Sequence, residues 1–260
     1  MGRLDGKVAV ITGGAGVIGS TAGKLFAEEG AKVVLVDMLE DDLKKAVESI
    51  DNENLSYVIA DVTKEEETKK YIASAVEKYG RLDACVLNAG IEGTIVAIAD
   101  LELDVFKKVL EVNILGVMLG IKHAVSEMEK NNNGSIVITS SNSGTQGWAG
   151  GAGYVTSKHG IIGLMKVAAM ECAPLGIRVN TVNPSAVESR MMRSIETQAD
   201  PDAPNEVKKS IEATNPMERY GKPEEVANMM LFLASDESSY CNGGCYTVDG
   251  GVTAGLFSAV

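Results

Sequence analysis

Apolar runs of strand length alternate with stretches of helical period along most of the chain. Residues 7–12, 32–37, 56–60, 83–88, 134–139, 177–182 and 245–248 are short and rich in Val and Ile. Such near-continuous apolar character is expected of strands covered on both faces, as parallel strands are. Between them, residues 18–29, 40–50, 64–79, 102–131, 153–173 and 223–235 carry helical patterns. In 64–79 the apolar stripe is Tyr71, Ile72, Ala75, Val76 and Tyr79, and Pro223 stands at a first helical position. The alternation predicts βαβ crossovers, hence a single α/β domain over 1–260: a doubly wound, seven-stranded parallel sheet with helices on both faces. Segment 185–216, with Pro201, Pro204 and Pro216, follows a strand's C-terminus and reads as a flexible flap over a pocket.

Bulk composition narrows the function classes. Hydrophobic residues are 45%, enough for a large core, and charged residues of both signs are interspersed, which excludes a disordered chain. The net charge of −12 comes without any basic stripe and argues against nucleic acid. No export signal precedes the first strand and no apolar run approaches the roughly 20 residues of a membrane span, so a cytoplasmic protein is expected. Cys85, Cys172, Cys241 and Cys245 are scattered and have no histidine near them; they read as reduced thiols, with no metal site.

The chemistry begins after the first strand. Gly13, Gly14, Gly16 and Gly19 surround Val17 and Ile18 at the entry to the first helix, and Gly14, Gly16 and Gly19 fit G-x-G-x-x-G. Glycine there permits a tight turn and close approach of a pyrophosphate to a helix N-terminus, the mark of a Rossmann fold; a plain strand–helix turn is the alternative. Asp37 ends the second strand, where a carboxylate accepts ribose hydroxyls and repels a 2′-phosphate, which favours NAD(H); a helix cap would also use Asp here. Tyr154 and Lys158 are spaced i, i+4 and share a helix face. An ammonium one turn away should pull the phenol pKa down from about 10 toward neutrality. Ser141, just past the fifth strand, stands where a hydroxyl would hold the substrate oxygen.

Together with Asp61-Val62, Asn88-Ala89-Gly90, Asn113, Asn183-Pro184, the segment Arg219 to Glu225 and Val248 to Gly251, these residues resemble the short-chain dehydrogenase/reductase family from Lys7 to about Gly251. The resemblance implies hydride transfer with Tyr154 as general acid/base. Lys158 would bind the nicotinamide ribose and lower the tyrosine pKa. Ser141 would polarise the carbonyl, and Asn113 would hold a relay water. Cofactor contacts would come from Gly13, Gly14, Gly16, Val17, Ile18, Gly19, Asp37, Asp61, Val62, Asn88, Ala89, Gly90, Tyr154, Lys158, Pro184, Val187 and Ser189. Three residues depart from the family pattern: Val17 and Ser185 replace glycines, and Ser189 replaces a threonine. Because valine resists positive φ, an altered pyrophosphate loop is expected.

Trp148, Met191 and Met192 fall where the family builds an apolar substrate pocket; His123 and His159 read as structural or solvated. Helices 102–131 and 153–173 carry surplus apolar residues such as Ile114, Leu115, Met118, Leu164 and Val167, which suggest a subunit interface, and the family resemblance implies a homotetramer built on those helices. The main reading is an NAD(H)-dependent oxidoreductase acting on a small-molecule secondary alcohol or ketone, apolar and alicyclic or steroid-like. A 3-oxoacyl thioester reductase and a nucleotide-sensing regulator are the alternatives.

Overall fold

In the computed structural model, which describes residues 2–255, seven parallel strands form one sheet in the order β3-β2-β1-β4-β5-β6-β7. They are β1 (Val8–Thr12), β2 (Lys32–Asp37), β3 (Leu55–Ile59), β4 (Ala84–Leu87), β5 (Gly134–Thr139), β6 (Ile177–Pro184) and β7 (Cys245–Val248). Successive residues of β1 point to opposite faces: Val8 and Val10 join one buried cluster, Ala9 and Ile11 the other. α3 (Glu65–Tyr79), α5 (Gly116–Met128) and α6 (Ala152–Cys172) cover the first face; α1 (Val17–Glu28), α2 (Glu40–Ile50) and α9 (Pro223–Ala234) cover the second. Each fully buried Val, Leu or Ile contributes about 1.5–3 kcal/mol, so this two-sided cover is what holds the strand ends rigid. The strand order reverses between β1 and β4, and a doubly wound sheet opens its ligand crevice at that reversal.

Three features depart from the sequence expectations. Segment 102–131 is not one α-helix: α4 (Leu103–Leu110) and α5 are joined by a π turn, Glu111–Leu115. Together they form a helix long and apolar enough to cross a membrane by length and composition, contrary to the reading that no such segment exists. Here it packs on the sheet through Val117, Ile121, Ala124 and Met128. The flap segment contains two helices, α7 (Arg190–Ala199) and α8 (Pro204–Ala213), whose mixed polarity and prolines had hidden their period. They are tied to the body by a Val187–Gly221 bridge and by the buried Glu196 carboxylate, which accepts the Tyr220 hydroxyl at 2.9 Å.

Candidate active site

The glycine loop is shaped by contacts that a side chain would obstruct. Gly13 adopts φ +69°. A Cβ on Gly19 would lie 2.2 Å from the Gly13 carbonyl oxygen, and one on Gly14 would lie 2.8 Å from Leu35 Cβ. Gly16 is the N-cap of α1 and supplies no side-chain cap, which leaves the first-turn N–H groups of Val17 and Ile18 for a ligand. Val17 does not distort the loop as expected, because it is the first helical residue and lies outside the positive-φ set. The family glycine is therefore not needed here for backbone conformation.

Asp37 has a part in this loop that the sequence did not reveal. Its Oδ2 accepts the Ala15 N–H at 3.0 Å and its Oδ1 accepts the Leu39 N–H at 3.1 Å. The carboxylate thus clamps the glycine loop to the end of β2 and keeps lone pairs for a ribose. Asp61 accepts the Thr63 N–H at 2.9 Å and its hydroxyl at 2.7 Å. Burial raises the Asp61 pKa, but these bonds outweigh it and hold the carboxyl below its ordinary value. Val62 packs where Gly116 has no side chain, since a Cβ there would come within 2.9 Å of Val62 Cγ2.

A hydrogen-bond path joins the glycine loop to the catalytic candidates. Lys158 is buried and its Nζ donates to the Thr139 carbonyl at 2.9 Å. The Thr139 hydroxyl donates to Asn88 Oδ1 at 3.0 Å, and Asn88 Nδ2 donates to the Thr12 carbonyl at 3.2 Å. Thr12 Oγ1 in turn accepts the N–H groups of Asn88 and Ala89. The Asn88 amide therefore works within the protein, holding the loop in shape. Gly90 leaves room beside Asn113 and Lys158: a Cβ there would sit 3.3 Å from Asn113 Oδ1 and 3.5 Å from Lys158 Nζ. Asn113, in the π turn, donates from Nδ2 to the Ile91 carbonyl and to Ser157 Oγ, both at 2.9 Å, and accepts the Ile91 N–H at 2.9 Å. Thr12, Thr139 and Ser157 were missed in the sequence because hydroxyls in strands and helices carry no positional signal by themselves.

Ser141 caps a short 3-10 turn; its Oγ accepts the Ser143 N–H at 3.1 Å and lies 3.4 Å from the Pro184 carbonyl. Tyr154 stands in the first turn of α6, with its ring centroid 5.5 Å from Lys158 Nζ. Desolvation pushes the Tyr154 phenol up to about 12; the facing Ser141 hydroxyl acts downward and the Glu92 carboxylate upward. Desolvation also takes the Lys158 amine down to about 8. The expected lowering of the phenol by the ammonium is not seen in the protein alone, because burial disfavours both charged forms. Burial thus raises the phenol and lowers the amine, so both groups favour their neutral forms.

The remaining candidates are placed as follows. Pro184 ends β6, Val187 is buried, and Ser189 caps α7 by accepting the Met192 N–H at 3.2 Å. The Ser185 hydroxyl donates to the Asp249 carbonyl, so this departure from glycine is used in packing. Trp148 is partly exposed and donates Nε1–H to Ser143 Oγ at 3.0 Å, beside the Ser141 loop. His159 is exposed, with Nδ1 near the Val155 carbonyl, and His123 lies 3.1 Å from Glu65 on the outer face. Neither histidine reaches the crevice.

A sheet of this order, with the glycine loop, Ser141, Tyr154 and Lys158 at its C-terminal edge, defines a dinucleotide-dependent oxidoreductase. A family model described as enoyl-(acyl carrier protein) reductase matches residues 13–253, and the chain belongs to the short-chain dehydrogenase/reductase family. It is an oxidoreductase acting on CH–OH groups. The chain is 43% identical over 266 residues to short chain aldehyde dehydrogenase 1 of Euphorbia lathyris, covering 99% of this chain and 92% of that protein. The crystal structure of levodione reductase superimposes with TM-score 0.94 at 34% identity, covering 98% of this chain and 100% of that one. The NAD+-bound structure of a xylitol dehydrogenase gives TM-score 0.90 at 35% identity, covering 95% and 99%.

Proposed function

We propose that this protein interconverts a small, alicyclic secondary alcohol and its ketone with NAD(H), in the cytoplasm, as a homotetramer. The observation that carries the reading is the unbroken path from the Lys158 amine through Thr139 and Asn88 to the glycine loop. It fixes the acid/base pair and the phosphate cradle in one frame. The glycines that admit no side chain and the uncapped first turn of α1 fit a dinucleotide pyrophosphate. Asp37 would take the adenosine ribose, and Lys158 the nicotinamide ribose. When bound, the cofactor supplies or accepts the hydride. Tyr154 then gives its proton to the carbonyl oxygen in reduction and removes it from the alcohol in oxidation. Ser141 orients that oxygen, and Lys158 and Asn113 keep the proton route to solvent ordered. Partly exposed Trp148, and Met191 and Met192 of α7, would offer apolar surface to a substrate ring.

Asp37 sets the cofactor choice. A panel of cyclic secondary alcohols, followed by absorbance of the reduced cofactor, should show NAD+ preferred over NADP+ by about 100-fold, the scale of one uncompensated like-charge contact. Asp37→Ser should narrow that ratio. Faster turnover with NADP+ would remove the assignment.

A second reading, reduction of the keto group of a 3-oxoacyl thioester borne on acyl carrier protein, is favoured by 40% identity over 253 residues to the 3-oxoacyl-[acyl-carrier-protein] reductase of Thermotoga maritima. The net charge of −12 opposes docking of an acidic carrier. The tetramer rests on apolar side chains left uncovered: Leu115 is 37% exposed, Val167 47% and Met170 70%. Sedimentation should give four times the mass of one chain, and Val167→Glu should yield smaller species. A single-chain mass for the unmodified protein would contradict the proposal.

A further inference from the structure

Ser141 has one proton to give, and the fold already holds it. The Ser141 backbone is fixed: its carbonyl accepts Asn183 Nδ2 at 3.1 Å and the Gly144 N–H at 2.9 Å. One lone pair of its Oγ takes the Ser143 N–H at 3.1 Å. Its O–H has two protein acceptors in reach, Asn142 Oδ1 at 3.0 Å and the Pro184 carbonyl at 3.4 Å. The shorter contact is the better hydrogen bond, so the amide of the next residue is the main holder of this proton. Asn142 is half-buried and pinned at the head of the 3-10 turn. Its carbonyl accepts the Thr145 and Gln146 N–H groups and the Thr145 hydroxyl, each at 3.0 Å. With both backbones fixed, only rotation of side-chain bonds can part the pair. Asn142 also lines, with Ser185, Asn215, Arg219 and Tyr220, a cavity of about 70 Å³. That is room enough for water, which can take the place of the serine hydroxyl at the amide oxygen.

A hydroxyl carries a single donor, so the Ser141 proton cannot serve Asn142 and a substrate oxygen at once. We propose that Asn142 is a positioning residue acting through Ser141: it holds the serine proton until a substrate oxygen takes it, and so sets how strongly Ser141 donates in the transition state. Only hydrogen bonds are exchanged in this step. The O–H turns from Asn142 Oδ1 to the substrate oxygen, and no covalent bond forms or breaks. The inference rests on the alcohol-oxidoreductase reading and deepens it by assigning the residue that competes with the substrate for the serine.

The test measures kcat/KM for cyclohexanol with NAD+ and cyclohexanone with NADH, or for the most active pair of the cyclic panel. Asn142→Leu, Asn142→Ala and Asn142→Asp are compared, each alone and combined with Ser141→Ala. Without the amide oxygen the serine proton keeps only the more distant Pro184 carbonyl. The Leu and Ala variants should therefore raise kcat/KM by about 2- to 10-fold, the net worth of one intramolecular hydrogen bond. Both directions should rise by the same factor, as the fixed reaction equilibrium requires. Asn142→Asp presents a charged acceptor, which grips a donor about twice as strongly, and should lower kcat/KM by about tenfold or more. Combined with Ser141→Ala, all three effects should vanish. A packing defect would lower the rate and the melting temperature together, so whichever neutral variant keeps the unmodified melting temperature is the one read. A kcat/KM that is unchanged or lower in that variant, or a change that persists without the Ser141 hydroxyl, overturns the assignment. The underlying reading fails differently: the unmodified protein turns over no cyclic alcohol or ketone.

Discussion

Replacement of Tyr154 by Phe should lower alcohol oxidation by about 10³-fold, the scale of a lost general base, while NADH still binds. The phenol is the acid/base candidate of the crevice, with Ser141 facing it and the Lys158 amine 5.5 Å from its ring centroid. NADH binding is read independently through Trp148, the single tryptophan, whose indole is bonded to the Ser141 loop. The unmodified protein should also show a characteristic pH response. Oxidation needs the phenol to be free to accept a proton, and burial raises its pKa, so the rate should rise with pH across the alkaline range. Reduction needs that proton present and should fall over the same interval. In Tyr154→Phe the residual rate should lose this step. A nucleotide-sensing protein would be indifferent to the substitution.

Gly19→Ala should abolish productive cofactor binding, with an NADH affinity at least about 100-fold weaker. The added Cβ would meet the Gly13 carbonyl oxygen at 2.2 Å, and the only relief is to move the start of α1 away from β1. Overpacking of this kind costs about 1–3 kcal/mol and should lower the melting temperature by several degrees. Gly16→Ala is the matched comparison: its Cβ would have one neighbour, at 3.3 Å, and its φ is −75°. Its melting temperature should stay within about a degree. If calorimetry shows the two variants equally stable, close packing does not explain the glycine at 19.

Much of the frame was legible because its signals are local. The Val- and Ile-rich runs of β1, β2 and β5 need only a two-sided cover to become parallel strands, and both sides are covered. The i, i+4 spacing of Tyr154 and Lys158 fixes their shared face once α6 forms. What stayed hidden depends on contacts between distant segments. The π turn holding Asn113 has the composition of an ordinary helix, and its reason lies in the Asn113–Ile91 and Asn113–Ser157 bonds. Helix α7 carries mixed polarity because one side packs on the body through the buried Glu196, and α8 buries none of its residues fully. The direction of the tyrosine shift was misjudged for the same reason: spacing reveals an ammonium neighbour but not the desolvation that opposes it.

The most direct test of the account is a structure of the protein with NAD+ and an unreactive alcohol analogue. The nicotinamide C4 should lie within about 5 Å of Tyr154 Oη. The analogue's oxygen should bridge the Ser141 and Tyr154 hydroxyls at about 2.6–3.2 Å, with the Lys158 amine at the nicotinamide ribose. A dinucleotide bound with its nicotinamide away from Tyr154, or a Lys158 amine that makes no contact with the ribose, would contradict it.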